Sequence, residues 1–121
     1  MNMKTIIYLS LLISLNSSGQ NHVLVNFKNN SPENFSTINV NILGKRFTFT
    51  DVRGQETTNF IAVDKSYLYC YVEAITAKDT LVFYPDDNID AVLYQKGKIT
   101  MTLNIVEQDK KRELSVIGKK H

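Results

Sequence analysis

From Val23 onward, apolar and polar residues alternate with a period of two almost to the last residue, and no useful length shows helical spacing. Val23, Val25 and Phe27 alternate, and NNSPEN then supplies a turn. Phe35 leads into Ile38, Val40 and Ile42. Leu43-Gly44-Lys45-Arg46 is a tight connection, with Gly44 able to adopt positive φ, and Phe47 and Phe49 follow. Segments 57–63, 66–76, 80–84 and 91–95 read as further strands. The cleanest alternation is Ile99, Met101, Leu103 and Ile105, and a short strand over 113–117 closes the series. The pattern predicts roughly eight or nine short strands in an all-β fold. A strand with one apolar face is most simply covered by a second sheet, so the expected architecture is a single antiparallel β-sandwich. A small closed barrel alternates in the same way.

The segment SYLYCYVEAIT, residues 66–76, is apolar on both sides. Leu68, Cys70, Val72 and Ala74 form one face, and Tyr67, Tyr69, Tyr71 and Glu73 the other. Burying Glu73 without a partner is costly, so the Leu68 face is expected in the core and the tyrosines outside or at the rim. Tyrosine suits that position because its ring packs while its hydroxyl stays wet. Tyr67, Tyr69 and Tyr71 are therefore the candidate binding surface, for a protein partner or a sugar ring, unless neighbouring chain covers them.

The first residues change the picture. MNMK carries Lys4, an uncharged apolar run follows over 5–15, and NSSGQ supplies small residues for cleavage before Gln20. This predicts a signal peptide over 1–19, too short for a membrane span, which needs about 20 apolar residues. The expected domain is 20–117, followed by a loose tail over 118–121. The composition, 43% hydrophobic and 21% charged, is that of one globular domain. Cys70 is the single cysteine, so no internal disulfide can form and packing must hold the exported domain together. The net charge of +2 gives no nucleic-acid footprint. The basic residues Lys110, Lys111, Arg112, Lys119 and Lys120 are interleaved with Glu107, Asp109 and Glu113, which marks a solvated turn.

Candidate chemistry is sparse. The two histidines, His22 and His121, lie at opposite ends of the expected domain, and no nucleophile, base and orienting group converge, so no enzyme activity is expected. The acidic turn Asp86, Asp87 and Asp90, with Asp79 nearby in sequence, could offer calcium its oxygen ligands, although Asp and Asn also cap ordinary turns. Cleavage after Gly19 would expose Gln20-Asn21-His22, a nitrogen set suited to copper(II) or nickel(II) unless the glutamine cyclises.

FKNNS, Phe35, Gly54 with Gln55-Glu56-Thr57, Tyr67 and Tyr71, Pro85 with Asp87, and Gly97-Lys98 recur in an order that resembles small exported bacterial domains of uncharacterised function. These are often lipoproteins with an immunoglobulin-like or transthyretin-like sandwich. The chain departs from that pattern by lacking a lipidated cysteine and by carrying Asp90 where glycine is expected. The resemblance implies the fold and no activity. The expected function is a non-catalytic binding or accessory module of the bacterial cell envelope, periplasmic or extracellular, with an envelope protein as partner through a sheet face or an edge strand. The alternative is recognition of a glycan on the tyrosine face or of calcium at the acidic turn, with no other cofactor.

Overall fold

The computed structural model describes residues 22–86 and 91–121. The expected signal peptide, the copper-type terminus before His22, and Asp87 and Asp90 of the acidic turn lie outside the described residues. Eight strands are described: β1 (Val23–Asn29), β2 (Phe35–Ile42), β3 (Lys45–Val52), β4 (Ile61–Val63), β5 (Tyr71–Ile75), β6 (Thr80–Phe83), β7 (Gly97–Gln108) and β8 (Lys111–Lys120). No helix among the described residues is long and apolar enough to cross a membrane.

The strands form two four-stranded sheets, ordered β4-β1-β7-β8 and β3-β2-β5-β6. All pairings are antiparallel except β1 with β7, which run parallel from Val23 beside Gly97 to Asn29 beside Leu103. This corrects the expectation of a purely antiparallel sandwich. Alternation reports which face a residue occupies and is silent on the direction of its neighbour.

The inner faces meet across one core. Val23, Val25, Phe27, Ile99, Met101 and Leu103 come from one sheet, and Phe35, Ile38, Val40, Val72 and Ala74 from the other. Phe27 meets Phe49 across the gap, with ring centroids 5.6 Å apart. Two tight turns set the hairpin registers. Leu43 (φ 49°) and Gly44 (φ 97°) join β2 to β3, and Asp109 (φ 54°) and Lys110 (φ 65°) join β7 to β8. Two successive positive φ angles are the signature of the hairpin turn whose twist matches the flanking strands.

Three further expectations change. Within 57–63 only Ile61–Val63 is a strand, and Thr57 contributes an isolated bridge to Lys28. Segment 91–95 is irregular, with one bridge from Tyr94 to Ser66. The expected tail is ordered instead: β8 continues to Lys120, the His121 amide donates to the Lys98 carbonyl at 2.8 Å, and Lys120 lies over the Tyr94 ring. The long β7 provides the partner that those last residues need.

Candidate functional site

The three tyrosines do not share one face. Residues 67–70 are irregular and β5 begins only at Tyr71. An added Cβ at Gly118 would overlap the Leu68 carbonyl, so this segment lies directly on the inner side of β8, where only glycine leaves room. Tyr67 and Tyr69 stack on each other, 5.8 Å apart with nearly parallel ring planes, and Tyr69 packs against the core. The expected apolar face is found for Cys70, Val72 and Ala74, all buried, while Leu68 is half-buried.

Tyr71 alone among the three projects from the regular sheet. It lines an open groove of about 570 Å³ on the outer side of β3-β2-β5, together with Asn39, Asn41, Arg46, Thr48 and Glu73. Its ring meets Tyr84 at 5.5 Å in a tilted pair, and Tyr84 is 72% exposed. The strand register arranges the polar groups in two rows. Thr48, Asn39 and Glu73 are direct cross-strand neighbours, as are Arg46, Asn41 and Tyr71.

The first row is hydrogen-bonded along its length. The Thr48 hydroxyl donates to Asn39 Oδ1 at 2.7 Å, and Asn39 Nδ2 donates to Glu73 Oε1 at 2.7 Å. The second row is open. Asn41 Oδ1 accepts from the Gly44 amide at 2.8 Å, which fixes the side chain, and its Nδ2 has no acceptor among the described residues. Among the described residues, the Arg46 guanidinium takes part in no ion pair. Partial burial, and then the neighbouring Glu73 carboxylate, raise the Tyr71 pKa above its ordinary value, so the phenol stays a neutral donor. The free groups of this row are thus predominantly hydrogen-bond donors.

A second polar cluster was not legible in the sequence. Arg112, read there as part of a charged turn, sits on the inner-facing register of β8 at the opening between the sheets. Its Nη1 and Nη2 donate to the two Glu33 oxygens at 2.7 and 2.9 Å, and its Nε and Nη2 donate to Asp79 at 2.9 and 3.2 Å. The Arg112 hydrogen bonds, joined at Asp79 by one from Thr76 and followed by the Arg112 charge, hold the Glu33 and Asp79 carboxyls below their ordinary range. Asp79, a nearby candidate for the acidic turn, is therefore occupied by Arg112 and by the Thr76 hydroxyl at 2.8 Å. Asp86 is exposed, and the described residues contain no group of three or more potential metal ligands among His, Cys, Asp and Glu.

Beside this clamp, Asn29 is fully buried and ties the β1–β2 loop to the end of β3. Its Nδ2 donates to the Glu33 and Val52 carbonyls at 2.7 and 3.1 Å, and its Oδ1 accepts from the Ser31 amide and hydroxyl. Gly54 lets the 53–56 loop close onto this loop, since a Cβ there would stand 2.9 Å from the Ser31 carbonyl oxygen. The Cys70 thiol is pushed up to about 12 by burial and lies 3.7 Å from the Met101 sulfur, an environment that keeps it protonated and unreactive. His121 Nε2 lies 2.7 Å from the Thr100 hydroxyl, which donates its proton to Asn26 Oδ1. In that arrangement the histidine donates to the hydroxyl and does not act as its base.

No protein-family model matches the chain, and no curated protein does. Among solved structures, the chain is similar to one described as "NMR structure of the protein from Eubacterium rectale", with 12% identity and a TM-score of 0.57 over 83% of this chain and 92% of that one. A likeness at that identity speaks for the fold alone.

Proposed function

We propose that the chain is a non-catalytic, exported binding module of a bacterial cell envelope, and that the open row Arg46-Asn41-Tyr71 is its ligand surface, used to recognise a glycan. The observation that carries the reading is the contrast between adjacent rows on one sheet face. One row is hydrogen-bonded from Thr48 through Asn39 to Glu73, and the next holds the Arg46, Asn41 and Tyr71 side-chain donors in a groove with no hydrogen-bond acceptor for them among the described residues. Sugars are recognised by that combination of an aromatic face and fixed polar groups. Export rests on the signal-like segment 1–19 and on a domain whose single thiol is buried. The sheet order supports a transthyretin-like arrangement over an immunoglobulin-like one. In the immunoglobulin order the first two strands share a sheet, whereas β1 and β2 lie in different sheets here.

A second reading has its own support. β3 is eight residues long and hydrogen-bonds only to β2 among the described strands, so an extended segment of an envelope protein could add to its free edge. Thermal shift of residues 20–121 against cell-wall glycans and calcium, run beside capture from an envelope fraction, separates the readings. A glycan that binds the folded state raises the midpoint. A shift produced by a glycan and absent in Arg46→Gln supports the groove. One captured envelope protein whose binding survives Arg46→Gln, without any glycan shift, overturns the groove in favour of the edge.

A further inference from the structure

The chemistry left free in the groove specifies more than a sugar, and we infer that the groove selects a carboxylate-bearing saccharide, a hexuronic acid unit, with the acid group on Arg46. This rests on the reading of the open row as the ligand surface. Among the described residues no partner is found for the guanidinium fork of Arg46, the Asn41 amide donor or the Tyr71 hydroxyl, all on the row that the strand register aligns. A donor-rich row is complementary to an acceptor-rich, negatively charged ligand. A planar guanidinium matches a planar carboxylate through two parallel hydrogen bonds, stronger than neutral contacts. Glu73, the one negative charge lining the groove among the described residues, stands in the adjacent row with one oxygen held by Asn39. The groove is therefore polarised, positive at the β3 edge and negative beside β5.

The other end of the row is aromatic. Tyr71 and Tyr84 form a tilted pair, and the largely exposed Tyr84 offers a ring face beside the groove. Arg46 and Tyr71 are separated by two strand spacings, about 10 Å, the reach of a disaccharide. One sugar ring lies against the tyrosines, Asn41 donates to a hydroxyl between them, and the carboxylate of the next ring reaches Arg46. The assignment gives Arg46 specificity for charge and the tyrosines affinity for the ring.

Calorimetric titration of residues 20–121 with oligomers of galacturonate, glucuronate and mannuronate, each beside its methyl ester, tests this directly. The expected result is binding of at least one free acid, weakened about tenfold or more in its methyl ester and in Arg46→Gln. Arg46→Lys keeps the charge without the fork and falls between the two. A Lys110→Gln, Lys111→Gln double variant leaves the affinity unchanged, because those residues sit at the β7–β8 turn away from the groove. Equal binding of acid and ester overturns the selection for carboxylate while leaving the glycan reading intact. Binding lost in the lysine variant and kept in Arg46→Gln overturns it as a diffuse charge effect. No binding of any oligomer by protein whose circular dichroism shows the β-sheet fold overturns both.

Discussion

Arg112 and Arg46 carry the same side chain in opposite circumstances. Arg112 donates to both oxygens of Glu33 and both of Asp79, and its side chain is only 16% exposed. Arg46 is exposed on the outer face of β3 and, among the described residues, pairs with no carboxylate. The first links β8 of one sheet to the β1–β2 and β5–β6 connections at one opening of the fold. The second contributes nothing visible to the fold and stands in a groove of donors. A guanidinium whose hydrogen-bonding capacity is filled internally is a structural part, and one left open beside fixed polar groups is available to a ligand.

Four variants probe that contrast. The largest loss of stability falls at the clamped end. Asn29→Ala orphans the buried carbonyl of Val52 and the Ser31 amide, and is expected to lower unfolding free energy by about 2–3 kcal/mol in urea titration. A change below 0.5 kcal/mol would show that water replaces the side chain there.

Arg112→Met comes next, and its diagnostic is pH. Glu33 and Asp79 have depressed pKa values in the folded chain, so their stabilisation is complete above the unfolded carboxylate range. It is lost as pH falls through the ordinary values of 4.5 and 3.8 and then through the lower folded ones. The parent is expected to lose thermal stability steadily from about pH 5 downward. Arg112→Met starts several degrees lower at neutral pH and shows a flatter acid limb. Parallel limbs would remove Arg112 as the cause of the pKa shifts.

Arg46→Met is expected to leave unfolding free energy within about 0.5 kcal/mol of the parent, while uronate binding falls about tenfold. Marked destabilisation would mean that Arg46 is structural after all, and the two arginines would no longer differ.

The smallest effect is a gain. Leu43 is half exposed at a positive φ of 49°, a conformation that asparagine accepts more readily. Leu43→Asn is expected to stabilise the hairpin by about 0.5 kcal/mol. Destabilisation would show that the leucine side chain packs usefully at the tip.

Much of the framework was legible because alternation directly encodes which residues share a face. Val23, Val25 and Phe27, then Ile38, Val40 and Ile42, then Ile99, Met101 and Leu103 are buried where the pattern placed them. The extent of the strand carrying the tyrosines was misread for a physical reason. Alternation over 66–76 assumes one extended strand, and the close approach of Leu68 to Gly118 breaks that strand before Tyr71. Of the three tyrosines, one therefore reached the groove. Its companions Arg46, Asn41 and Glu73 come from three strands, and no sequence spacing connects them.

The sequence by itself determined an all-β chain, most of its strand-forming segments and much of its core, because a period of two is local and burial follows from it. Tertiary structure alone decided the parallel meeting of β1 and β7, the arginine to be sealed by carboxylates, and the polar row to be left open. Each of those depends on which strands become neighbours, and strand neighbours are chosen by packing between distant segments rather than by any residue's own preference.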